Sequence, residues 1–247
     1  MNELEALRFK NTELASKLSE LEKTAIKLIR QTSLSPDKSA DTIIIDTETT
    51  GLDAMWDELL QVSIIDIDGN ELYNSYIKPL HHQSWIEAEH VNHISPQMVR
   101  YAPTIFDEMP KINAILRSAN TIIGYNTSFD LDFLYVSGGI SVNDKNIVDV
   151  MDDFAEEYGE WDEQHDSYKW QKLSTAADHY GYDWNSRPEG AHNSLADCYA
   201  TLFVYNKMRE SEKINNPALV QAITDVFEER FEREWTDELP QSNKIKR

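Results

Sequence analysis

Asp46 and Glu48 are the residues of this sequence with the clearest capacity for chemistry. They stand two apart at the end of an isoleucine run, Ile43-Ile-Ile-Asp-Thr-Glu-Thr-Thr-Gly-Leu52. Side chains at i and i+2 of a strand share a face, roughly 6–7 Å apart. Two carboxylates held that way repel unless a proton or a cation lies between them. Hard oxygen ligands without cysteine suit Mg²⁺ or Mn²⁺ better than zinc. Gly51 ends the strand and lets the main chain approach a ligand closely. The spacing Asp46-x-Glu48-x-Thr50-Gly51 loosely mimics a calcium-binding EF-hand loop. That loop requires flanking helices and a glutamate at its twelfth position, where this chain has Asp57 after an isoleucine-rich strand. The EF-hand reading fails.

Two later segments add acids of the same kind. Gly124-Tyr-Asn-Thr-Ser-Phe-Asp-Leu-Asp-Phe-Leu134 puts an asparagine and an acid at a strand-to-helix junction, and Gly190-Ala-His-Asn-Ser-Leu-Ala-Asp-Cys-Tyr-Ala200 puts a histidine five residues before an acid. Together and in this order, the three segments resemble the motifs of the DEDDh exonucleases, a family of 3′→5′ nucleases with an RNase H-like α/β fold. The resemblance spans roughly residues 41–209. It implies that Asp46 bridges two metal ions, that Glu48 and Asp197 hold the first, and that Asp130 holds the second. Asp132 competes with Asp130, but the pattern Asn-x-x-Phe-Asp selects Asp130. His192 is the implied general base, its unperturbed pKa of about 6.5 allowing proton uptake at neutral pH. Five helical residues turn through about 500°, so His192 and Asp197 cannot share a helical face; His192 belongs on the loop before the helix. Thr49, Gly51, Leu52, Asn126 and Phe129 match positions that meet the 3′-terminal nucleotide, although Phe129 reads equally well as core. Asn92-His-Ile-Ser-Pro-Gln-Met-Val99 resembles a further family segment, with Asn92 where histidine is common and His93 where glycine is common.

Elements that could position these residues are readable. Thr42–Asp46 is a strand, and the apolar runs Leu59–Ile67 and Leu72–Lys78 flank Asp68-Gly69-Asn70 as a hairpin. Ser95-Pro96 starts a short helix. Thr121–Tyr125 is a buried strand, Ser128–Val136 a helix and Asn146–Val150 a short strand. Helices follow near 170–180, stopping at Gly181, and over 194–209. The order predicts a mixed sheet with helices on its faces.

Outside this domain, Leu4, Leu7, Asn11, Leu14, Leu18, Leu21, Ala25 and Leu28 form a heptad. Leucine at d, one asparagine at a, and the e–g pairs Glu3–Arg8 and Lys17–Glu22 favour a parallel homodimer through residues 4–28. A helix folded back on its own domain is the alternative. The expected organisation is a coiled-coil helix over 1–34, a linker over 35–40, an exonuclease domain over 41–210, and a C-terminal amphipathic helix with a polar tail over 211–247.

Net charge is −21, and residues 35–210 carry −20 of it. A long electrostatic groove for duplex nucleic acid is therefore excluded. Two bound cations would attract a phosphate locally. Residues 152–166 alone hold eight acids and no lysine or arginine. This segment is either a solvated insertion or a gate that turns duplex flanks away and admits a short single-stranded 3′ end. One cysteine, Cys198, rules out a disulfide framework. The N-terminal residues lack a signal-peptide pattern and no apolar run reaches membrane-spanning length, which predicts a cytoplasmic protein without a membrane partner. The expected activity is release of nucleoside 5′-monophosphates from the 3′ end of DNA. RNA or oligoribonucleotides are the alternative substrate, and a coiled-coil interaction protein with an inactive nuclease fold is the remote one.

Overall fold

A computed structural model describes residues 39–186 and 193–215. The expected coiled coil over 1–34, its homodimer, the linker up to residue 38, the base His192 and the C-terminal segment from 216 lie outside the described residues.

Five strands form one mixed sheet: β1 (Thr42–Thr49), β2 (Leu59–Asp66), β3 (Glu71–Tyr76), β4 (Thr121–Gly124) and β5 (Asn146–Asp149), in the order β3-β2-β1-β4-β5. β1 to β3 pair antiparallel, while β1–β4 and β4–β5 are parallel. β1 is therefore central. A central strand covered on both faces reads as a continuous apolar run, and Ile43, Ile44 and Ile45 are all fully buried. The hairpin between β2 and β3 turns at Asp66, whose carboxylate accepts from the main-chain N–H of Asp68 and Asn70, with Gly69 at φ 81°.

The helices are α1 (Ile86–Asn92), α2 (Pro96–Val99), α3 (Ile105–Ser118), α4 (Thr127–Val136), α5 (Val150–Tyr158), α6 (Leu173–His179) and α7 (Ser194–Asn215). The proline-led helix, the two shorter helices and the final one fall where the sequence places them, α7 running on to Asn215 rather than stopping at 209. α1 and α3 are additional. α3 begins at a capping box in which Thr104 and Asp107 satisfy each other's main-chain groups. The acidic segment, residues 152–166, adds a further helix and a hairpin, with most of its acids exposed. It comprises α5, which buries Phe154 and Ala155, and a two-stranded hairpin, β6 (Trp161–Asp162) with β7 (Ser167–Tyr168).

The sheet separates two cores. On one face Ile43, Ile45, Val62 and Ile64 pack against Met109 and Ile112 of α3 and Phe133 of α4. On the other, Ile44, Ile65 and Ile123 pack against Phe154, Ala176, Cys198 and Val204 of α5, α6 and α7. Alternation along β1 carries this division to the strand end: Asp46 and Glu48 continue the Ile44 face toward α7, and Thr47 continues the Ile45 face toward α4. Among the described residues no helix is long and apolar enough to cross a membrane.

Candidate active site

Asp46 and Glu48 meet Asp197, one turn into α7, and ligand oxygens of all three lie within 4.8 Å of one another. Each residue is half-buried. The β1–β2 register slips between Glu48 and Thr49, so that Glu48 pairs with Gln61 while Thr49 pairs with Leu59. The unpaired residue, Leu60, is on β2, so the pairing breaks just after the second carboxylate.

Asp130 is not a member of that cluster. It is 2% exposed on α4, and its carboxylate accepts a 2.7 Å hydrogen bond from the Thr47 hydroxyl on the opposite face of β1. Asp132, its competitor, is exposed. The electrostatics nevertheless join all four acids. Burial, followed by the charges of Asp130, Asp197 and Glu48, holds Asp46 well above the usual carboxylate range. Burial and the charges of Asp197 and Asp130 push Glu48 up to about 8, against a hydrogen bond from Asn92 that lowers it. Burial also pushes Asp130 to about 7, opposed by Thr47 and reinforced by Asp149. Burial and mutual repulsion thus both favour the protonated forms of Asp46, Glu48 and Asp130; a hard divalent cation is the group this donor set fits.

The supporting contacts explain how the chain tolerates this crowding. Asn92 is buried and donates to the Thr49 carbonyl at 3.1 Å while accepting from the Ile94 N–H. The next residue, His93, takes φ 58°, the left-handed conformation that glycine adopts most readily, and ends α1 with its N–H on the Glu89 carbonyl. At the other wall, Asn193 donates to Gln61 at 3.2 Å, and the Ser194 and Ser63 hydroxyls are 2.7 Å apart. These bonds fix the start of α7 on β2 and so aim Asp197. α7 begins at Ser194, after the position of His192.

Among the sequence-predicted substrate residues, Thr49 is buried with its hydroxyl on the Gly51 carbonyl, and Leu52 is 87% exposed. Gly51 has no room for a side chain: a Cβ there would collide with the Asp57 carboxylate. Asp57 in turn accepts from the Thr50 hydroxyl and the Asp53 N–H. Asn126 is exposed at φ 65° at the head of α4. Phe129 packs on Phe133 at 4.9 Å, at the margin of the core, and also borders a cleft.

Asp149 was not singled out by sequence. Its carboxylate accepts from the N–H groups of Asn126 and Thr127 at 2.9 and 2.8 Å and from that of Met151 at 3.1 Å, so one side chain caps two helices and sets the base of α4 under Asp130. Only its place at the end of a short strand hinted at this. Cys198 lies beneath the acids, and burial with the Asp46 charge pushes its thiol well up, which keeps it protonated and inert.

Two clefts adjoin these residues and share none of them. One, of about 540 Å³, is bordered by Leu52, Met55 and Phe129. The other, of about 480 Å³, has Asp197 in its wall with Tyr125, Met151, Trp170, Lys172 and Trp184. A third cavity of about 560 Å³, between α4 and residues 140–147, has Asp132 in its wall and none of the clustered acids.

A mixed five-stranded sheet with a carboxylate cluster at the end of its central strand describes an RNase H-like nuclease domain. Comparison with known proteins agrees. The exonuclease family model named for RNase T matches residues 43–205. The chain is 32% identical over 180 residues to a protein of Escherichia phage 186 named uncharacterized exonuclease CP81, an overlap covering 68% of this chain and 88% of the phage protein. It is 23% identical over 179 residues to the PolC-type DNA polymerase III of Staphylococcus saprophyticus, covering 69% of this chain but 11% of that polymerase. The fold is similar to E. coli exonuclease I bound to single-stranded DNA (TM-score 0.54, 21% identity, 76% of this chain and 43% of that one). It is also similar to exonuclease X bound to 5′-overhanging duplex DNA (TM-score 0.53, 20% identity, 69% of this chain and 92% of that one). The chain thus spans less than half of exonuclease I. It belongs to the exonuclease family, in the DEDDh 3′→5′ group, and is an exonuclease.

Proposed function

We propose that this exonuclease removes nucleoside 5′-monophosphates from the 3′ end of single-stranded DNA. The observation that carries the reading is the cluster of Asp46, Glu48 and Asp197 within 4.8 Å, in which burial and neighbouring charges raise the Asp46 and Glu48 carboxyls. Two Mg²⁺ or Mn²⁺ ions would supply a nucleophilic water and stabilise the attacking and leaving oxygens of an in-line displacement at phosphorus. Asp46 would bridge the ions, Glu48 and Asp197 would hold the first, and Asp130, held by Thr47, the second. His192 would take the proton from the attacking water. Thr49, Leu52, Asn126 and Phe129 would hold the terminal nucleotide, with Gly51 letting the main chain close around it. The charge of −20 over residues 35–210 favours a short unpaired end over a long duplex. Single-stranded DNA is also what the exonuclease I structure contains. The heptad over 4–28 would join two such domains in a parallel dimer, in the cytoplasm.

The test uses end-labelled single-stranded DNA, duplex DNA and short RNA with Mg²⁺ or Mn²⁺, comparing the wild type with Asp46→Ala. Stepwise 3′ shortening of single-stranded DNA that the substitution abolishes is the expected result. Persistent activity in the variant, or none in the wild type, overturns the site; preference for RNA overturns the substrate.

A further inference from the structure

Trp170 is 68% exposed, an unusual position for an indole. It is not loose. Its Nε1 donates to Asp152 at 2.8 Å, the adjoining Gln171 carbonyl accepts from the Tyr125 hydroxyl at 2.8 Å, and Lys169 N–H bonds the Glu160 carbonyl at 2.8 Å. The edge of the ring is fixed to α5 and the segment carrying it is fixed to β4 and the hairpin. Lys172 is exposed two residues on and makes no ion pair among the described residues, whereas Lys169 is bound to Glu160 at 2.8 Å. Trp170 and Lys172 both line the 480 Å³ cleft that contains Asp197.

A fixed aromatic face with a cation beside it is the combination by which proteins hold unpaired strands, one stacking on a base and the other meeting a phosphate. A duplex cannot use it, because its bases are already stacked. Its second strand would also meet the eight acids of residues 152–166, which form α5 and the β6–β7 hairpin next to this cleft. Leu52 and Phe129 border the other cleft. A strand whose terminal nucleotide lies there and whose scissile phosphate lies at Asp46, Glu48 and Asp197 continues past Asp197 into this one.

We propose that the Trp170–Lys172 cleft is a subsite for the unpaired nucleotides on the 5′ side of the scissile bond, Trp170 stacking on a base and Lys172 binding a phosphate, with the acidic hairpin turning away a second strand. The inference rests on the exonuclease reading above. Its test is a cycle between protein and substrate, using oligodeoxynucleotides with one abasic residue at the first, second or third position 5′ of the scissile bond. In the wild type one of these should lower kcat/KM about 10-fold. In Trp170→Ala the same abasic residue should cost less than about 2-fold, and Trp170→Phe, which keeps a face but loses the bond to Asp152, should retain most of the sensitivity. Lys172→Ala should reduce the slope of log(kcat/KM) against log[salt] by about 0.7. Full abasic sensitivity in Trp170→Ala, insensitivity of the wild type at all three positions, or an unchanged salt slope overturns the subsite while leaving the exonuclease reading intact. Absence of any metal-dependent mononucleotide release by the wild type overturns both.

Discussion

Replacing Glu48 by glutamine should abolish activity and yet make the metal-free protein more stable. With oxygens at 4.8 Å, each pair of full charges in this cluster would repel by about 3–4 kcal/mol at an effective dielectric of 20. The protein avoids most of this by keeping protons. Glu48 is pushed from its ordinary 4.5 up to about 8, so at pH 7 it is mainly protonated in the folded state and ionised in the unfolded one. Holding that proton roughly 3.5 pH units above the ordinary value costs about 3 kcal/mol at pH 7, where about 2.5 of those units have been crossed, and less than about 1 kcal/mol at pH 5. The direction follows from the raised value: the contribution of this carboxyl is most favourable below pH 4.5 and is lost as pH rises toward 8. Glutamine resembles the protonated acid and can still accept from Asn92.

Glu48→Gln in EDTA should therefore melt higher by roughly 6–12 °C at pH 7, with the gain shrinking several-fold at pH 5. Mg²⁺ at millimolar concentration should raise the melting temperature of the wild type more than that of the variant, since ligands stabilise only the state that binds them. Thermal unfolding followed by circular dichroism at both pH values, with and without metal, reads all of this. A variant that is no more stable than the wild type at pH 7, or a gain that does not change between pH 5 and 7, would refute the account of the site as a set of acids strained by one another.

Two further substitutions probe the frame around the cluster. Gly51→Ala drives a methyl group into the Asp57 carboxylate, so urea unfolding should show a loss of about 1–3 kcal/mol, recovered in part by Asp57→Ala in the same chain. Thr47→Val removes the 2.7 Å bond to buried Asp130; it should cost about 1–3 kcal/mol and raise the Mg²⁺ concentration needed for half-maximal nuclease activity.

The centre of this site was legible because it is local in sequence. An isoleucine run ending in Asp-x-Glu predicts a buried strand with two acids on one face, and that is how β1 is built. The preference for Asp130 over Asp132 rests on motif alone; the structure buries Asp130 against the Thr47 hydroxyl, outside the cluster, and exposes Asp132. What sequence missed is mostly non-local. Asp149 draws its partners from positions 126, 127 and 151, and no spacing announces that. The register break beside Glu48 exists only in the pairing of β1 with β2. α3 is a different kind of miss, because Thr104 and Asp107 spell a capping box and Met109, Ile112 and Leu116 recur at helical spacing. In α5 the acids masked Val150 and Phe154, the apolar pair that seats the helix.

The same acids also answer how so negative a domain can handle a polyanion. Charge in this fold has two separate placements. At the end of β1 the carboxylates are half-buried and close enough to retain protons, so displacing those protons by a divalent cation relieves repulsion and reverses the local sign; metal affinity must then rise with pH through about 7–8, the range where Asp130 and Glu48 ionise. Around α5 and the hairpin the acids are mostly exposed, and their ion pairs, such as Lys169–Glu160, lie in water where they contribute little to stability. Outer acids of that kind hold the cluster in no arrangement and neutralise nothing. On the proposed reading their consequence is selective: attraction would come from the bound cations and from Lys172, and the phosphates of a second strand brought alongside the hairpin would weaken binding. A 3′ end that is short and unpaired satisfies both conditions, and a duplex satisfies only the first.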